Sequence, residues 1–159
     1  RLAVPWARSE NVGLPSPILI EEKLPISSGD NLRQIEIYMR YGDQLTPHML
    51  ELVDFISKTG WSDVEPRNLP AFETKEGKLK IGMVDLETFS NSITLGLLGN
   101  SYLRRTGLLK CCVTHDQALK VYNKIKVVLK RKGMWKEHEK KANSVLGEVN
   151  QSISDREVC

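Results

Sequence analysis

The run GWSDVEPRN at residues 60–68, with LPAF at 69–72, TKEGK at 74–78 and LKIGMVDLE at 79–87 behind it, sets the terms on which the whole chain can fold. Leu79, Ile81 and Met83 alternate with Lys80 and Gly82, the period-two pattern of a strand with one face turned inward. LPAF is a second short apolar segment, and TKEGK between the two has the polar, glycine-bearing composition of a turn. The spacing therefore predicts a β-hairpin. A polar loop feeding such a hairpin carries Asp63 and Asn68 to the sheet edge that Asp85 reaches at the end of the second strand. Two carboxylates and an amide gathered in this way are groups that phosphoryl transfer uses. One carboxylate orients an acceptor hydroxyl, while an amide oxygen and the other carboxylate hold a hard cation against phosphate. Each also has a structural role open to it: Asp63 and Asn68 can close a turn on backbone amides, and Asp85 can end an edge strand.

Upstream of the loop, Thr46-Pro47 places a hydroxyl before a proline preset for a first helical turn, and Met49, Leu52, Val53 and Ile56 recur on one face until Gly60. These features predict a helix over 46–59. Before it, Leu32, Ile35 and Tyr38 or Met39 keep helical spacing behind Asp30, a capping residue, and Gly42 stops the pattern, giving a helix over 30–41. Residues 18–20 read as one short strand that passes into a connector at EEKLP, and 1–17, with Pro5, Pro15 and Pro17, as an extended approach segment.

Downstream, the glycines at 96, 99 and 107 break any periodicity in 88–113, where short turns and loops are expected. Thr114 with Gln117 three residues on is a capping box, and Ala118, Tyr122, Ile125 and Leu129 form an apolar stripe up to Gly133. A last helix over 134–151 has Trp135, Ala142, Val145 or Leu146 and Val149 as its inner face, and 152–159 is expected to fray. The fold class is thus mostly α with a small β-hairpin. It comprises a strand and connector over 1–29, a helical body over 30–151 with the polar loop and hairpin at 61–87, and a frayed tail.

Composition sets outer bounds. The 159 residues are 40% hydrophobic and 27% charged, with 11 Gly and 7 Pro, which excludes disordered, collagen-like and disulfide-scaffold classes and allows one domain with a real core. No apolar run approaches the roughly 20 residues that span a bilayer. Three cysteines, two of them adjacent at Cys111 and Cys112, fit neither a disulfide framework nor metal-ligand spacing, so the expected setting is the reducing cell interior, the cytoplasm. His48, His115 and His138 have no spaced partner and are read as structural or solvent-facing. The net charge of +3 is small. Between Lys120 and Lys141, however, nine basic residues face only Glu137 and Glu139, a stripe that is either a solvated helix face or a site for RNA, DNA or an anionic membrane.

The order of strand, connector, two helices, Asp63-x-x-x-x-Asn68 loop, hairpin and Met83-Val84-Asp85 resembles the catalytic half of the protein-kinase-like superfamily, its aminoglycoside and choline phosphotransferase branch included. The resemblance implies a C-terminal catalytic lobe that uses ATP and magnesium. It implies Asp63 as the catalytic base with Arg67 beside it, and Asn68, Asp85 and Glu87 as metal-side groups. It implies that Glu21, Glu22, Lys23 and Leu24 form the hinge that seats adenine, and that the acceptor is a hydroxyl on a small molecule or protein. Trp61 stands where the family has histidine. Glu65 stands two residues after Asp63, where the family has Lys or His to neutralise transferred phosphate. No glycine-rich phosphate loop and no lysine precede Lys23, so a chain that starts at Arg1 is expected to be part of a longer one that carries the phosphate-gripping lobe. A pseudokinase that binds partners, or a basic helical module for nucleic acid, are the other expectations.

Overall fold

The computed structural model describes residues 2–8, 15–20, 30–100 and 106–158. The expected hinge residues Glu21, Glu22, Lys23 and Leu24 lie outside them. The described residues are mostly helical, with antiparallel pairs of short strands. Strand β1 (Leu2–Arg8) pairs with β2 (Pro15–Ile20), which corrects the expectation of one strand behind an extended approach. Two residues, Pro5 and Trp6, stand opposite Pro17 where the register shifts between Val4 and Ala7. A two-stranded ladder with a bulge tolerates residues that lack an N–H, so prolines that read as breakers are accommodated here.

Helix α1 (Asn31–Tyr41) begins as expected, the Asp30 carboxylate accepting from the Arg33 N–H at 2.9 Å. Its buried stripe is rotated from the one expected. Gln34, Ile35 and Tyr38 face inward, while Leu32 and Met39 are exposed, so two polar groups occupy the inner face. A 3-10 turn over Gly42–Leu45 runs directly into α2 (Thr46–Thr59). Thr46 is therefore no cap. Its hydroxyl instead accepts from the Gln117 side chain at 3.3 Å.

The expected hairpin is present as β3 (Ala71–Glu73) and β4 (Leu79–Ile81), closed by the Gly77 turn. Its second strand stops at Ile81, four residues short of Asp85. Helix α3 (Ile93–Leu98) and a 3-10 turn at Leu109–Cys111 fill the irregular region. Helix α4 (His115–Arg131) packs on α2, and α5 (Trp135–Val158) packs back on α4. Thr114 caps α4 as expected, accepting from the Gln117 N–H at 3.0 Å. The reciprocal arm is displaced by one residue, because the Gln117 carbonyl takes the N–H of Val113.

The C-terminal tail is helical to Val158 rather than frayed. Ile153 is 2% exposed, and burying a side chain of that size yields about 2 kcal/mol, enough to hold the last turns down. The core runs without interruption from Met49, Val53 and Ile56 of α2 through Trp61 and Leu69 of the loop to Ile125 and Leu129 of α4. No described helix is long and apolar enough to cross a membrane.

Candidate functional site

The polar loop begins where α2 is forced to end. Gly60 takes φ of 77°, and a Cβ there would sit 2.2 Å from the Ser90 carbonyl oxygen, so only glycine lets the two segments close. The chain then zips against residues 88–90. Ser90 N–H donates to the Gly60 carbonyl at 2.8 Å, Ser62 N–H donates to Thr88 at 3.0 Å, and Trp61 forms an isolated bridge with Phe89. Trp61 is fully buried and its indole N–H reaches the Asp85 carbonyl at 3.4 Å. Trp61 thus ties the start of the loop to Asp85.

Residues 66–68 form a 3-10 turn in which Asn68 is buried. The Asn68 side-chain N–H donates to the Asp63 backbone carbonyl at 2.9 Å, and its backbone carbonyl accepts from Val84 N–H at 3.0 Å. One residue therefore fixes the Asp63 loop on one side and the approach to Asp85 on the other. With its nitrogen so engaged, the amide presents its oxygen as the remaining acceptor. Asp85 has φ of 60°, the one non-glycine residue at positive φ among the described residues. Such backbone is costly for most side chains and concentrates at functional positions.

Asn68 is bonded to the Asp63 carbonyl and to Val84, the neighbour of Asp85, and the Asp85 charge acts on Asp63. The Asp63 carboxyl is raised above its ordinary value first by burial, then by the negative charges of Glu65 and Asp85, while the Asn68 amide and Arg67 pull it down. Glu87 is less involved: it lies exposed in the turn at 86–87 and is not among the charges that act on Asp63. Arg67 is ion-paired with Glu65 and more than half exposed, so its charge is largely spent on its neighbour. Glu65 itself is buried and turned toward α1, where Asn31 Nδ2 donates to it at 3.3 Å.

Asn31 and Tyr38 carry structure that sequence reasoning did not assign to them. Asn31 also accepts the Arg67 backbone N–H at 2.9 Å, so both ends of its amide grip the loop. The buried Tyr38 hydroxyl donates to the Leu69 carbonyl. The available signal was polar residues on the inner stripe of an otherwise ordinary amphipathic helix.

Chemically, a carboxylate whose proton affinity is raised by its surroundings is suited to accept a proton from a bound hydroxyl. Among the described residues no group of three or more His, Cys, Asp or Glu gathers as a metal site. A cation here would take the Asn68 amide oxygen and the Asp85 carboxylate as its protein donors. That sparse oxygen set fits magnesium, which keeps water and phosphate in most of its positions. The chain matches no family model, no curated protein and no solved structure.

Proposed function

We propose that residues 30–158 are the catalytic lobe of a kinase-like phosphotransferase that moves the γ-phosphate of ATP to a hydroxyl. The observation that carries the reading is the Asp63–Asn68–Asp85 arrangement. Asn68 bonds the Asp63 carbonyl, the Asn68 carbonyl takes Val84 N–H beside a left-handed Asp85, and the Asp85 charge is felt at Asp63. In this reading Asp63 positions the acceptor hydroxyl and takes its proton as the phosphoryl group transfers. Asn68 and Asp85 hold magnesium, which when bound offsets charge on the phosphate oxygens. Trp61 and Asn31 keep the loop in register. In this reading Glu21, Glu22, Lys23 and Leu24 serve adenine.

A second reading, a pseudokinase, is favoured by one observation. Glu65 occupies the place of a phosphate-neutralising cation, and the nearest arginine, Arg67, is paired to it. The test for both is transfer from γ-labelled ATP, with magnesium, by the full-length protein, presented with a panel of small-molecule alcohols and proteins. The enzyme reading expects transfer that Asp63→Asn and Asp85→Asn each lower by at least about 100-fold. Nucleotide binding without transfer to any acceptor, and without hydrolysis, leaves the pseudokinase reading.

A further inference from the structure

The basic stripe of α4 and α5 is resolved by the structure into cations with partners and cations without. Lys120 pairs with Asp116 at 3.0 Å, Lys124 with Asp54 at 3.3 Å, Lys141 donates to the Gly99 carbonyl at 2.7 Å, and Lys126 lies 5.2 Å over the Trp135 ring. Lys130, Arg131, Lys132, Lys136 and Lys140 have no hydrogen-bond or ion-pair partner among the described residues. All five gather at one corner. Lys130 and Arg131 end α4, Lys132 is in the turn, and Lys136 and Lys140 stand one turn apart at the start of α5. The acids there are two, Glu139, which accepts from Trp135 Nε1 at 3.2 Å, and Glu137, 3.8 Å from His138, against five cations.

Lysines at the end of α4 are favoured by its dipole, but Lys136 lies in the first turn of α5, where a cation is disfavoured. That placement suits an anionic partner. Along α4, Leu119 and Val127 are each 50% exposed, and at 100° per residue they share the outward face with Lys130, Arg131 and the Lys120–Asp116 pair. Apolar side chains between lysines suit a lipid surface and add nothing to a phosphate backbone. The aromatic residues of the two helices are packed against each other, Tyr122 and Trp135 edge-on at 6.0 Å and both nearly buried, so no stacking platform for bases is presented.

We infer that α4 and the α4–α5 corner form a docking surface for an anionic membrane, on which α4 lies flat with Leu119 and Val127 toward the acyl boundary. The surface is independent of the phosphotransfer site and does not rest on that reading. The attraction is peripheral and electrostatic.

The test is co-sedimentation of the full chain with phosphatidylcholine vesicles with and without about 30% phosphatidylserine, in low and in high salt. Binding is expected only to the anionic vesicles and is expected to weaken with salt. At about fivefold per cation, Lys136→Gln with Lys140→Gln lowers the partition on the order of 25-fold, and neutralising Lys130, Arg131 and Lys132 together lowers it on the order of 100-fold. Leu119→Ser with Val127→Ser lowers it several-fold. Circular dichroism establishes that the variants remain folded, since every changed side chain is on the surface. Failure of anionic vesicles to retain the chain at low salt overturns the inference. So does tighter binding to duplex RNA or DNA than to vesicles, with the Leu119/Val127 pair making no difference.

Discussion

Replacing Gln117 with leucine is expected to cost far more stability than removing the cap it helps to form. Gln117 is fully buried, and its side chain serves three groups at once. It accepts the Val113 N–H at 2.9 Å and donates to the Gly42 carbonyl at 3.0 Å and the Thr46 hydroxyl at 3.3 Å. Leucine preserves the volume and serves none of them. The buried Val113 N–H loses its partner at about 2 kcal/mol, the part-buried Gly42 carbonyl adds about 1 kcal/mol, and the Thr46 hydroxyl can turn elsewhere, for a total near 3 kcal/mol. With a urea slope of about 2 kcal/mol per molar, the unfolding midpoint falls by roughly 1.5 M. Thr114→Ala removes the cap on Gln117 N–H and a bond to the Asp43 carboxylate at the exposed rim, and should cost only about 1 kcal/mol. The assay is equilibrium urea unfolding of the chain and both variants, read by tryptophan fluorescence and circular dichroism with coincident transitions. A Gln117→Leu loss equal to or smaller than that of Thr114→Ala would refute the claim that this side chain pins α4 to the junction of α1 and α2.

Asp63→Asn should raise stability at neutral pH. Because the folded state raises the Asp63 carboxyl above 3.8, folding favours its protonated form, and stability declines as pH rises from that value through the raised one. The variant's Tm advantage is therefore small near pH 4 and larger at pH 7, and equal Tm values at pH 7 would contradict the electrostatics described. Gly96→Ala would place a Cβ 2.1 Å from the Trp61 carbonyl and 2.6 Å from Ile56 Cγ2, pushing α3 off the start of the loop. About 2 kcal/mol of overpacking lowers Tm by roughly 5 °C, measurable by calorimetry. Cys111, its thiol pushed up to about 12 by burial first and by Glu65 second, and the equally buried Cys112 should resist thiol reagents at pH 8 until the chain is unfolded. Peptide mapping after brief alkylation checks this, and rapid native modification of either would show the core to be open.

Much of this architecture is legible in the sequence because it depends on short-range chemistry. Asp30 before a periodic stripe, Gly60 after one, and Lys80 alternating with Ile81 each dictate local backbone whatever lies around them. What escaped the reading depends on partners distant in sequence. The polar stripe residues Asn31 and Tyr38 have meaning only once the loop at 65–69 is laid against them, a separation of more than 30 residues. Gln117 reads as a cap partner, yet it works mainly across 71 to 75 residues. The tail at 152–158 lacks strong periodic signals, and the burial of Ile153 against the body is what orders it. At the site, the bond from Asn68 back to the Asp63 carbonyl was legible, because it closes a local turn. The direction taken by Glu65, toward Asn31 and Arg67, was set by tertiary contacts that spacing does not encode.

The left-handed backbone at Asp85 separates two kinds of requirement at one position. Asn and Gly occupy that conformation about as readily as Asp does, so either could stand there and leave the loop, hairpin and core intact while deleting a negative charge. A β-branched residue would damage both the scaffold and the chemistry. A single base change, Asp to Asn or Asp to Gly, could therefore remove the carboxylate here and keep a well-folded protein. Charge and scaffold are, at this residue, free to vary separately.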